Sequence, residues 1–108
     1  MAIKYAYSTV QYIGQIQQFP YNYEPIGWVE CNGQLLSIQN HKYLYDAIGT
    51  IYGSGGTTSF AVPDLRPRDN NGALINLSVG QTHSGYPYMK HFIAIEGVLP
   101  IAATQSQA

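Results

Sequence analysis

Residues Phe60–Arg68 read FAVPDLRPR, directly after the Gly-rich run YGSGGTTS. Each proline removes an amide donor and fixes φ, so the segment is extended but unsuited to the interior of a sheet. Phe60 and Val62 are the residues that pin it to a core. Asp64 is placed to accept hydrogen bonds from local backbone N–H groups, as Asp does in turns. Arg66 and Arg68 can pair with Asp64 or Asp69, or cap carbonyls of the preceding loop. The expectation is a structural brace made of Asp64, Arg66 and Arg68, with an intersubunit contact by one arginine as the other reading.

The chain around this stretch has 108 residues, of which 45% are apolar and only 10% charged. Soluble domains carry about 25% charged residues, so the deficit is the informative number. An ordinary apolar fraction with few charges argues for one folded domain whose usual guard against association is missing. The net charge of −1 gives no electrostatic driver for nucleic acid or for a membrane surface. No apolar run reaches the roughly 20 residues of a membrane span, and no signal peptide is visible. Cys31 is the only cysteine. Its context, WVECNG, favours a buried, inert thiol over a reactive one.

Upstream of the opening stretch, Ile3, Tyr5 and Tyr7 alternate with Lys4, Ala6 and Ser8, the period of a strand. Val10–Phe19 continues in β-favouring residues, with Gly14 as a bulge and Pro20 as the stop. YNYEPIG is a loop. Trp28–Cys31 and Gln34–Leu36 flank Asn32-Gly33, the signature of a type I′ hairpin. The spacing predicts one helix over about 38–48, with Ser37 as N-cap, Gly49 as stop, and Tyr43, Leu44, Ala47 and Ile48 on one face. Downstream, Asp69–Gly72 is a turn, Ala73–Gly80 a short strand and THSGYP a loop. Met89–Leu99 is a closing strand apolar on both parities, hence buried on both faces. PIAATQSQA reads as a flexible tail or as an extended strand awaiting a partner. The fold class is α+β, mainly β: a small β-rich domain with one short helix and extended terminal arms. The divisions are an N-terminal strand arm over 1–11, the domain over 12–99 and a tail over 100–108.

Catalytic and cofactor chemistry finds no residue set. The run Gly53–Thr58 lacks the Lys of a phosphate loop, and it lacks the third Gly and the following helix of a dinucleotide fingerprint. His41, His83, His91 and Cys31 show no close ligand spacing. There is no Gly-x-Ser-x-Gly, and the six acids lie in unrelated segments. No catalytic, cofactor or metal residue is assigned, and the chain is not expected to be an enzyme. Ten tyrosines are a different matter. Tyr joins a large contact face to a polar tip and few rotatable bonds, which suits interfaces and sugar stacking. Tyr21, Tyr23, Tyr86 and Tyr88 are the candidates for glycan contact. Asn76-Leu77-Ser78 is a formal glycosylation sequon.

Five blocks stand in a recognisable order: YIGQI (12–16), PIGW (25–28), ECNGQLLSI (30–38), IGTIYG (48–53) and TTSFAVPDLR (57–66). Together they resemble the phage tail collar domain, found in tail-fibre proteins and in bacterial relatives called microcystin-dependent proteins. HFIAIEGVLP (91–100) is similar to the closing strand of the bacterial relatives. Pro67 stands where the family usually has Gly, and the family's metal-associated His-Asn-His stretch has no counterpart. The resemblance implies a homo-oligomeric structural protein associated with fibres, with receptor binding in some members.

The expected function is a structural subunit that self-assembles through β contacts into an extracellular or virion-associated fibre or filament. Its partner is then itself, with Ile3, Tyr5, Tyr7 and Val10 as self-assembly residues donated to a neighbour's sheet edge. Head-to-tail donation that does not close yields an open filament. The alternative is an adhesin module that binds a cell-surface glycan or receptor. No nucleic acid, membrane insertion or cofactor is expected.

Overall fold

The structure, a computed structural model, describes residues 11–100. The N-terminal arm with Ile3, Tyr5, Tyr7 and Val10, and the tail beyond Pro100, lie outside the described residues. The elements in chain order are β1 (Ile16–Phe19), β2 (Trp28–Glu30), β3 (Leu35–Ser37), α1 (Lys42–Ile48), β4 (Ser59–Ala61), β5 (Thr82–His83), β6 (Tyr86–Pro87) and β7 (Lys90–Ala94). They make a mainly β fold with one short helix, the class read from the sequence. One sheet has the order β1-β7-β2, and two two-stranded sheets pair β3 with β4 and β5 with β6, all antiparallel.

The closing strand β7 is the centre of the larger sheet. Phe92, Ile93 and Ala94 are all buried, because strands cover both edges and side chains cover both faces. Ile93 faces a core of Ile13, Val29, Cys31, Leu36, Leu44, Phe60 and Val62. Phe92 and Ala94 face a second cluster with Trp28, against which Phe19 packs. The opposite parity of neighbouring strand residues thus divides the apolar side chains between two layers.

Four local readings are corrected. Asn32-Gly33 closes no hairpin: β2 pairs with β7, β3 pairs with β4, and Gly33 is at φ +77° while Asn32 is not in the left-handed region. The Asn32 side chain instead accepts the Gln34 N–H at 3.1 Å, an Asx turn. Trp28 and Val29 both need burial, on opposite faces, and a lone hairpin offers only one covered face. The first strand is only Ile16–Phe19. Gly14 lies in a turn at φ +89°, not in a bulge, and the Gln15 N–H donates to the Tyr12 carbonyl at 3.0 Å. The helix begins at Lys42, not near Ile38. The Ile38 N–H extends the β3–β4 pairing by donating to the Thr58 carbonyl at 3.0 Å, so it is not free to open a helix. His41 takes the N-cap position, and the Ser37 hydroxyl accepts from Asn40 N–H in the turn before it. The buried side of α1 is Leu44 with Tyr45 and Ile48, while Tyr43 and Ala47 face out. Gly49 ends the helix, as read.

The fourth correction concerns the last third. Ala73–Gly80 forms no strand, only an isolated bridge between Leu74 and Arg68. THSGYP is a hairpin rather than a loop. Ser84 (φ +53°) and Gly85 (φ +86°) are both left-handed, the backbone of a type I′ turn, and they join β5 to β6.

Candidate functional site

The segment after β4 runs beside the end of β2, held by the Leu65 N–H to the Cys31 carbonyl at 2.9 Å and by a bridge between Asn32 and Asp64. Phe60 and Val62 are fully buried beneath it. Asp64 Oδ1 accepts from Arg66 N at 3.2 Å and Arg66 Nε at 2.9 Å. Its Oδ2 accepts from Nη2 of Arg66 and of Arg68, both at 2.8 Å. Arg66 Nη2 also reaches the Asn32 carbonyl at 3.2 Å, and Arg68 Nη1 the Gly72 carbonyl at 3.0 Å. One carboxylate therefore ties three pieces of chain through two arginines. The turn Asp69–Gly72 closes through Asp69 Oδ1, which accepts from Asn71 N and Ala73 N.

The electrostatics follow from this geometry. The hydrogen bonds from Arg66 hold the Asp64 carboxyl far below the usual carboxylate range, against the opposing effect of partial burial. The same contact raises Arg66. Burial, helped by Glu30 and Asp64, pushes the Cys31 thiol up to about 12. Tyr88 is raised by burial and then by Glu30, which also pairs with Lys90 Nζ at 3.6 Å. A thiol so high is no nucleophile at neutral pH. Among the described residues, no group of three or more His, Cys, Asp or Glu comes together.

The four tyrosines named for glycan contact separate into two pairs. Tyr21 and Tyr23 continue an aromatic row from the second core. Phe19 meets Trp28 edge-on with centroids 5.1 Å apart, Tyr21 stacks on Phe19 at 5.7 Å, and Tyr23 stacks on Tyr21 at 5.0 Å. The i, i+2, i+4 spacing of Phe19, Tyr21 and Tyr23 is its sequence signal. Tyr86 and Tyr88 line a pocket of about 240 Å³ together with Gln18, Pro67, His83 and His91. Sequence reading missed this pocket, because its wall is the β5–β6 hairpin. The dipeptide Ser84-Gly85 was the available signal.

The phage tail collar domain family matches at residues 14–69, more than half of the chain, and the chain belongs to that family. No curated protein and no solved structure matches it. The matched span holds both prolines and all three charges of the Asp64 network. Membership gives a structural role related to phage tail fibres and a virion-associated setting.

Proposed function

We propose that this phage tail collar domain protein is a subunit that self-assembles through β contacts into a virion-associated or extracellular fibre. The observation that carries the reading is the surface of the larger sheet. Strand β1 is an edge of mostly exposed residues, IQQF, with neither Lys nor Pro within it. Proteins that stay apart usually guard such an edge with charge, proline or a covering segment. Elsewhere on the surface, Tyr23, Ile26, Ile51 and Tyr86 are each at least 66% exposed in a chain with 11 formal charges from Lys, Arg, Asp and Glu. In this reading Asp64, Arg66 and Arg68 serve as the internal brace that keeps the subunit rigid. Sedimentation velocity and negative-stain microscopy of the full chain over a range of concentrations test it. Concentration-dependent, regular assemblies are expected, and a monodisperse monomer throughout overturns the reading.

A second reading is favoured by the Tyr21–Tyr23 stack, whose outer ring is 66% exposed at Tyr23. An aromatic face open to solvent suits stacking on a sugar ring. Glycan-array binding that is lost in Tyr23→Ala supports a receptor-binding module, and an array without hits removes it.

A further inference from the structure

The two edges of the larger sheet differ in how their outward backbone groups are used. In β2, the residues that turn away from β7 are Trp28 and Glu30. Trp28 N–H donates to the Pro25 carbonyl at 3.1 Å and Glu30 N–H to Glu24 Oε2 at 2.9 Å. The Glu30 carbonyl accepts from Gln34 Nε2 and Asn32 N, each at 3.0 Å. That edge is closed by its own loops. In β1, Ala94 N–H donates to the Gln15 carbonyl at 2.9 Å, and the register pairs Gln17 with Phe92 and Phe19 with Lys90. The alternation of an antiparallel ladder then turns the N–H and C=O groups of Ile16 and Gln18 outward. No hydrogen bond among the described residues reaches them.

Next to this open edge lies the pocket of about 240 Å³ lined by Gln18, His91, His83, Tyr86 and Tyr88. Gln18 and His91 are cross-strand partners, so the pocket adjoins the outermost strand. His91 Nδ1 itself is buried without a hydrogen-bond partner among the described residues. A strand laid against β1 would place every second side chain on this face, one of them beside Gln18. An open edge with a side-chain pocket beside it is the arrangement used in strand addition. Main-chain hydrogen bonds supply affinity, and the pocket supplies selectivity.

The chain itself carries a strand of fitting chemistry. Ten residues precede Gln11, a reach of roughly 33 Å when extended. Within them Ile3, Tyr5 and Tyr7 share one parity. A tyrosine ring suits an aromatic-lined pocket, where Gln18 and His83 bring polar side chains for its hydroxyl. We propose that the β1 edge and its pocket accept a β-strand from residues Ile3–Tyr7 of a second copy of this chain, with Tyr5 seated in the pocket. The inference rests on the self-assembly reading and names the contact through which it occurs.

The experiment uses the full chain and two variants. Gln18→Pro removes an outward amide donor from the acceptor without touching the ladder to β7, and Tyr5→Asp puts a charge on the donor. Each variant alone is expected to melt like the parent and to need at least tenfold more protein for half-assembly by sedimentation. Mixed one to one, they are expected to give dimers, since one intact donor and one intact acceptor remain. Parent-like assembly of either variant overturns the inference while the self-assembly reading stands. Variants that stay monomeric when mixed point to pairing within one chain and also overturn it. A monomeric parent overturns both. Should Gln18→Pro melt early, the peptide MAIKYAYSTV in excess must dissolve assemblies of the parent, and assemblies that persist overturn the inference.

Discussion

Phe92 and Ile93 are neighbours in the chain and belong to different cores. Phe92 packs beside Phe19, with ring centroids 5.7 Å apart, in the cluster that holds Trp28. Ile93 packs with Val29, Phe60 and Val62 on the other face of the sheet. A central strand with two cores is costly to change at either position, yet the two changes report differently. Phe92→Ala and Ile93→Ala should each destabilise by about 2–5 kcal/mol. Trp28 is the only tryptophan, and it senses one core. Native-state tryptophan emission should shift in Phe92→Ala and stay parental in Ile93→Ala. Equal shifts in both would mean that the two layers are not independent.

Asp64 links stability to acid. Its native pKa lies below its unfolded one because Arg66 and Arg68 favour the charged form. Such a group contributes stability that is fully present above the unfolded value of about 4 and is lost as pH falls towards the native value. Asp64→Asn should therefore melt earlier than the parent at neutral pH, with the gap closing below about pH 4. With the carboxylate about a quarter exposed (24%), the loss in Asp64→Ala should be about 1–2 kcal/mol, between a surface pair and a buried charged hydrogen bond. Melting curves from pH 2 to pH 8 check both, and a gap that does not change with pH would remove the linkage.

Cys31 is 1% exposed, and burial raises its thiol to about 12. The thiolate is the reactive species, so alkylation of the folded chain at pH 8 should be slower than for a free thiol by at least two orders of magnitude. Guanidinium should restore the ordinary rate. Rapid labelling of the native protein would place the thiol at a surface.

The parts of the fold legible in the sequence are those set by a local rule with no competitor. Two apolar parities made Phe92–Ala94 a stretch buried on both faces, although the strand is Lys90–Ala94 and not Met89–Leu99, with Val98 and Leu99 exposed beyond it. Asp69 with Gly72 made a turn. Gly49 ended the helix for the same reason. The misread parts were decided by distant partners. Asn32-Gly33 has the strongest short-range hairpin signal in the chain, but each flanking strand finds a better-covered partner in β7 or β4. Ile38 was drawn out of the helix by the Thr58 carbonyl. The order of blocks carried the family, and no local pattern foretold that Gln18, His83 and His91 would line one pocket, because three separate elements bring them there.

Ser84 is the one non-Gly residue at positive φ among the described residues. A left-handed residue with an ordinary side chain costs roughly 1–2 kcal/mol, and Asn tolerates the position better. Ser84→Asn should leave the fold unchanged and stabilise the β5–β6 hairpin by up to about 1 kcal/mol. Hydrogen exchange at the Tyr88 amide, which bonds the Gln81 carbonyl at 2.7 Å, reads this locally. Faster exchange in Ser84→Asn would contradict the turn type.

Gly97 sits where the chain returns past its own beginning. It is at φ +145°, and a Cβ there would collide with the backbone carbonyl of Gln11. That same carbonyl accepts the Val98 N–H at 2.9 Å, and Ile13 N–H donates to the Val98 carbonyl at 2.9 Å. Gln11 cannot withdraw from a new methyl group without breaking the parallel bridge between Tyr12 and Val98. The backbone strain alone is worth about 1–3 kcal/mol, and the lost hydrogen bonds add to it. Gly97→Ala should lower the melting temperature and speed amide exchange at Ile13 and Val98, while Leu44 in α1 keeps its protection below the melting point. The Gln11–Val98 clasp also fixes Gln11, the residue to which residues 1–10 are joined. If Ile3–Tyr7 bridges to a second copy, Gly97→Ala should weaken assembly at temperatures where the core is intact. Undiminished assembly with fast exchange at Val98 would show that the clasp and the contact between copies are independent.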